Sequence, residues 1–244
     1  MRSNLVLAGA AALLASAACG RPVAAHQHVR VFAAASLTAA FTELAQAYER
    51  AHRGEQVVLQ CAGTPTLVMQ LQQGAEADVF AAADAVHMER VVAAGRTIAA
   101  PVPFATNRLA ILVARGNPRR VQGLADLARA DLRVALAGPE VPAGRYARQA
   151  LARAGVAVRS LSDETSVSAL VGKLRLGEFD ACIAYATDAA PAAEAVEAVA
   201  IPADQNALAS YPIAALTPAG RAFVAFVLAD EGRAALLRHG FRTP

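Results

Sequence analysis

The sequence predicts an α/β protein built on mainly parallel sheets. Three observations lead there. From Val29 onward, short apolar runs of strand length alternate with longer stretches whose apolar residues recur at helical spacing. Glycine stands where several of those stretches stop, at Gly74, Gly95, Gly155 and Gly177. No internal repeat and no long linker interrupts the rhythm, which excludes a solenoid.

Val29–Ala34 (VRVFAA) is a buried strand, and Leu37–Ala51 a helix with Leu37, Phe41, Leu44 and Tyr48 on one stripe. Gln56–Gln60 is the next strand, Thr66–Gln73 a helix, Asp78–Ala82 a strand and Asp84–Ala94 a helix. The second half continues with strands at Arg108–Val113 and Arg133–Leu136, helices at Gly144–Ala154 and Val167–Leu176, and a strand at Ala181–Tyr185. Ile213–Leu216 is a last strand before one C-terminal helix from about Pro218.

The chain has 244 residues, with 23 Lys+Arg against 20 Asp+Glu, 56% apolar types and only 18% charged ones. High apolar content with small net charge excludes disorder. A balance of +3 spread over so few charges is not the footprint of a nucleic-acid binder. The apolar run of greatest length, Leu5 to Ala18 behind Arg2, is too short to span a membrane and suits the core of a signal peptide. Small residues lead from it to Cys19. A thiol there suits lipidation, with ordinary cleavage after Ala18 or near Ala25 as the alternative. Export sets an oxidising context, in which Cys61 and Cys182 are either a disulfide or two buried thiols. Neither belongs to a Cys/His cluster with metal-ligand spacing.

The strand-to-helix turns carry the functional signal. Ser36 reads as the N-cap of the first helix; Thr64 reads as that of the second, followed by Pro65 at its first turn. Pro142-Ala143-Gly144 opens a third helix and Thr165-Ser166-Val167 a fourth. Helix starts present unpaired N–H groups and a partial positive charge, and in open α/β sheets they gather at the carboxyl ends of the strands. Where such starts converge they hold an anion without Arg or Lys.

The runs VFAAASLTAAFTELAQAYE, GTPTLVMQLQQGAEADVFAAAD, GPEVPAGRYARQAL and CIAYATDAA, in that order, closely resemble the periplasmic molybdate-binding proteins of ABC importers. The resemblance extends from about Val29 to Phe241. It implies the two-lobed type II periplasmic-binding fold, each lobe a sheet flanked by helices, with the ligand in the cleft between lobes. It divides the chain into a leader and tail (1–28), a first lobe (29–106 plus 208–244) and a second lobe (107–207), joined by crossover strands.

The same resemblance implies the ligand residues. Ser36 and Thr64 match two hydroxyl positions, Ala143 and Val167 two backbone N–H positions, and Tyr185 a phenol donor. In that family such groups surround a tetrahedral dianion and no cation touches it, so no side chain ligates the metal of the oxyanion directly. A site of donors alone favours a fully deprotonated dianion, molybdate or tungstate, over partly protonated phosphate, and rigid donors reject smaller sulfate by leaving its bonds long. The sequence departs from the family at Thr64-Pro65, where small serines are usual, and at Ser166. The partners implied are an ABC permease and its ATPase, with the protein a monomer and no cofactor.

Other readings of the same residues stand beside these. Another tetrahedral oxyanion, sulfate or chromate, fits the same donors. An exported hydrolase would use Ser36 as nucleophile, but no GxSxG elbow surrounds it. A ligandless exported protein that kept the fold is a third. Tyr185 reads equally as a core tyrosine, and Arg145 as a surface or lobe-interface residue. Asp78 and Asp84 read as turn caps, and Tyr211-Pro212 as a segment near the hinge.

Overall fold

The computed structural model describes residues 27–244, so the export segment and Cys19 lie outside the described residues. Strand β1 (Gln27–Ala34) is central to the first half of the sheet, with β2 (Glu55–Ala62) and β3 (Val79–Ala81) parallel on either side. In the second half, β5 (Val134–Ala137) runs parallel to β6 (Asp163–Glu164) and to β7 (Ala181–Tyr185). Two long strands connect the halves: β4 (Val102–Ala114) and β9 (Leu208–Ala215), antiparallel to each other. β9 lies against β3, β4 lies against β7, and β8 (Val196–Ala200) pairs with β4. The expectation of mainly parallel sheets therefore holds within each half, while every antiparallel ladder involves β4 or β9.

Helices cover both faces. α1 (Thr38–Ala51) buries Phe41, Leu44 and Tyr48 as the stripe predicts. α2 (Thr64–Gln72) and α3 (Ala85–Ala93) pack over Phe32 and Phe80 through Leu67, Leu71, Met88 and Val91. α4 (Pro142–Arg153) and α5 (Val167–Arg175) flank the second half. Gly95 and Gly177, just past α3 and α5, take φ of 65° and 73°, the left-handed turn that ends a helix.

The single C-terminal helix expected from the sequence is two, α6 (Gly220–Leu228) and α7 (Asp230–Arg238), broken at extended Ala229. Asp230 and Glu231 in the first turn of α7 suit the positive end of a new helix. Gly232 lies so close to the carbonyls of Phe226 and Val227 that the two helices meet at a corner. β6 and β8 were not expected: one has two residues, and the other alternates half-buried and exposed positions on a strand of Ala, Val and Glu.

The first turn of α4 presses on the end of β5. A Cβ added at Gly144 would lie 2.2 Å from the carbonyl oxygens of both Ala137 and Gly138. Gly144→Ala should therefore destabilise the protein by roughly 1–3 kcal/mol, the range for overpacking a filled site. Urea unfolding checks this, and an unchanged midpoint would show that the helix start has slack.

Candidate functional site

The carboxyl ends of β1, β2, β3 and β7 point at the starts of α4 and α5, and one small cavity forms where they meet. Ser36, Thr64, Ala143, Val167 and Tyr185 all line it, with Gly63, Ala83 and Val141 among their neighbours. The space open to the centre of a water-sized sphere is about 10 Å³, room for about one water. Admission of anything larger requires its walls to part. The walls touch closely at Gly63, where an added Cβ would sit 2.5 Å from the carbonyl oxygen of Thr165. Among the described residues of the lining there is no Lys, Arg, His, Asp or Glu.

The polarity of the cavity comes from helix starts and hydroxyls. α2 and α4 begin at Gly63 and Val141, neither of which caps with a side chain. Their first N–H groups have no intrahelical partner and aim at the cavity end of the helix. α5 is capped as the sequence predicts, Ser166 Oγ accepting from Ala169 N–H at 3.1 Å.

Two caps fall elsewhere than expected. Ser36 is not an N-cap: Ala35–Leu37 form a 3-10 turn before α1, whose cap position is Leu37. The extra turn frees the Ser36 hydroxyl, which pairs with Tyr211 Oη at 3.1 Å. Thr64 is the first helical residue of α2, one place past the cap at Gly63. Its Oγ1 accepts the Ala83 N–H at 3.4 Å, so its own proton is left to donate. Pro65 takes the second helical position, where its N–H would have had no intrahelical partner.

Tyr185 ends β7, opposite Leu109 of β4, and is 1% exposed. Its Oη is buried with no hydrogen-bond partner. Burial raises its pKa well above the ordinary tyrosine value, so the phenol keeps its proton and is a donor. Tyr211, buried on β9, stacks edge-on against it at 5.7 Å and is likewise held protonated by burial. The sequence reading placed Tyr211 near the hinge and missed its bond to Ser36; the two are far apart in the chain, and no local pattern links them.

The charged residues near the cavity are engaged elsewhere. Asp84 caps α3, accepting from His87 N–H at 2.9 Å and facing His87 Nδ1 at 3.0 Å. Arg145 stands outside the lining and donates to Asp84 Oδ2. Asp78 accepts from Arg30 N–H and Thr217 Oγ1, tying β1 to the turn after β9. Cys61 is half-buried, Cys182 is buried, and both are free thiols. No helix among the described residues is long and apolar enough to cross a membrane.

The family described as "Bacterial extracellular solute-binding protein" matches residues 29–242. Molybdate-binding protein ModA of Mycobacterium tuberculosis (strain H37Rv) is 37% identical over 250 residues, covering 99% of this chain and 96% of that protein. ModA of Escherichia coli (strain K12) is 28% identical over 248 residues, covering 95% of each. Among solved structures, the Azotobacter vinelandii periplasmic molybdate-binding protein superposes with a TM-score of 0.73 at 20% identity, covering 88% of this chain and 99% of that one. The sulfate-binding protein SubI of M. tuberculosis H37Rv gives 0.81 at 18% identity, covering 89% and 87%. Likeness at that identity shows the fold, that of the periplasmic binding proteins.

The orphaned phenol gives a prediction of unusual sign. Tyr185→Phe removes an unsatisfied buried hydroxyl, so the ligand-free protein should gain about 1 kcal/mol in denaturant unfolding. A loss of stability would mean that the hydroxyl has a partner. A second prediction concerns His87, whose pKa is lowered from 6.5 by burial and then by the Arg90 cation. The unfolded chain takes up that proton near pH 6.5 and the folded one only further down. Its contribution is thus whole above pH 6.5 and falls as the solution is acidified below it. The thermal midpoint should drop from pH 7 toward pH 5, less steeply in His87→Asn; equal slopes would remove His87 from the account.

Proposed function

Because the chain belongs to the bacterial extracellular solute-binding proteins and is 37% identical to a molybdate-binding protein over nearly its whole length, we propose that it binds molybdate, and tungstate with it, and delivers the anion to an ABC importer. The observation that carries the reading is the Tyr185 hydroxyl, buried, protonated and without a partner, in a cavity that also collects Ser36, Thr64 and the starts of α4 and α5. A buried donor without an acceptor is costly, and an oxyanion supplies the acceptor.

In this reading Ser36 and Thr64 donate O–H and N–H bonds, Ala143 and Val167 donate N–H, and Tyr185 donates its phenol proton. Charge-assisted bonds of this kind are short and roughly twice as strong as neutral ones. Four oxygens bearing two charges fit a lining of donors, whereas an anion carrying its own proton brings a donor with nothing to accept it. The chemistry is reversible binding. The hydrolase alternative is disfavoured because Ser36 Oγ pairs with a protonated phenol, while His239, which shares a larger adjoining cavity with it, is bound to Glu43.

The lobes are residues 29–106 with 208–244, and 107–207. Closing them around the anion is a ligand-driven population shift that creates the face presented to the permease and its ATPase. The leader directs export, with Cys19 the position for a lipid anchor.

Calorimetric titration with molybdate, tungstate, sulfate, chromate and phosphate tests the assignment. Molybdate and tungstate should bind tightly and phosphate weakly; sulfate binding tighter than molybdate would reassign the ligand. Ser36→Ala should weaken molybdate binding by roughly tenfold or more, the worth of one bond to a charged group, without lowering the thermal midpoint by more than a few degrees. Thr64→Ser should move the molybdate-to-sulfate ratio if the extra methyl sets the chamber size.

A further inference from the structure

A larger cavity of about 540 Å³ opens beside the oxyanion chamber, and the two share Ala35, Ser36 and Val167. It is bounded by the first turn of α1, by α5, by the turn after β7 and by the end of α7 with the residues that follow. Much of its wall is apolar, with Ala39, Val171, Pro191 and Phe241 among the lining. Gly172, inside α5, also faces it, and a Cβ added there would meet nothing within 4 Å. Neither a close approach nor a left-handed backbone requires this glycine, although glycine weakens a helix interior. Its effect is room.

Four charged side chains reach the cavity: Arg175, Asp188, Arg238 and His239. Arg175 pairs with Glu194 at 2.9 Å, and Arg238 and His239 share Glu43. Asp188 differs. Its Oδ2 accepts the Tyr185 N–H at 3.0 Å, and no cation among the described residues pairs with it. The surrounding walls desolvate the carboxyl and push it up to about 7, since nothing positive offsets the loss of water. Its charge also acts on Tyr185, the phenol of the oxyanion chamber, so it works against a bare dianion there. An apolar chamber with one uncompensated carboxylate fits an amphiphilic cation. An ammonium is a compact charge with three donors, and it returns to the carboxylate a partner that the protein does not supply.

We propose that this second cavity binds a small organic ammonium ion, its charge paired with Asp188 and its alkyl part against the apolar walls, and that its occupancy strengthens oxyanion binding in the adjoining chamber. The cation cancels the carboxylate charge that opposes the dianion. Coupling between sites is reciprocal, so the oxyanion strengthens amine binding by the same factor. The amine site rests on the cavity and Asp188; only the coupling rests on the oxyanion reading above.

The test is calorimetric titration with butylammonium chloride, with and without saturating molybdate, against sodium chloride at equal ionic strength. Wild type should bind the amine saturably. Butan-1-ol matches the chain but lacks the charge, and should bind roughly tenfold or more weakly, the worth of a bond between charged groups. Asp188→Asn keeps an acceptor for the Tyr185 N–H and should lose amine affinity by a similar factor. Gly172→Leu places a side chain in the open space and should abolish amine binding, with molybdate binding in the absence of amine unchanged. Saturating butylammonium should lower the molybdate Kd of wild type roughly tenfold, within the usual range of coupling between sites, and leave that of Gly172→Leu unmoved. No saturable uptake, or equal amine affinity in wild type, Asp188→Asn and Gly172→Leu, would overturn the site. Amine binding with an unmoved molybdate Kd would overturn the coupling. If wild type takes up no molybdate, the oxyanion reading fails, while titration without the oxyanion still decides the amine site.

Discussion

The arrangement depends on one strand changing partners along its length. β4 pairs with β9 from Val102 to Arg108, and with β7 and β8 from Leu109 to Ala114. That handover sets the two half-sheets edge to edge, so that the carboxyl ends of β1 and β2 face those of β5 and β7. Two buried asparagines hold it in place. Asn107 donates to Thr187 Oγ1 at 2.8 Å. Asn206 bridges the N–H and carbonyl of Leu109, at 3.1 and 2.8 Å, supplying the backbone bonds that a strand in transition lacks. Without this join Ser36 and the starts of α2, α4 and α5 belong to separate walls.

The cavity solves an electrostatic problem without ionic side chains. A cation inside it would bind many anions, including protonated ones, whereas directional N–H and O–H donors discriminate by geometry and protonation. The cost is visible in the protein itself: the Tyr185 phenol is kept buried and unpaired, edge-on to the buried Tyr211 that bonds Ser36. Local instability of this kind is a common property of functional sites.

Where burial is symmetric, the sequence was legible to the residue. β7 is buried at all five positions, and its apolar run ACIAY coincides with the strand. β4 was recognised only from Arg108, because its first half, VPFATN, holds a proline and polar residues suited to a crossover rather than a core. β8 was missed because only Val196 is buried: half-buried Glu197 and Val199 alternate with exposed Ala198 and Ala200, which leaves no apolar run. The same contrast holds at the site. The turns after β1 and β2 and before α4 and α5 are marked by local chemistry, and these turns meet at one cavity. The 3-10 turn that displaces Ser36 and the bonds Ser36–Tyr211 and Arg145–Asp84 are tertiary facts, made between residues that sequence spacing cannot relate.

The shared strand also has a thermodynamic consequence. If either half-sheet melts, β4 loses one set of ladder bonds and strips the other half of its neighbour. The apolar core is likewise continuous, from Val29 and Phe41 through Phe104 and Leu109 to Ile183 and Leu174. The halves share both that core and β4, which couples the unfolding of one to that of the other. Any ligand gripped by the cleft stabilises every strand by mass action, including those nowhere near it.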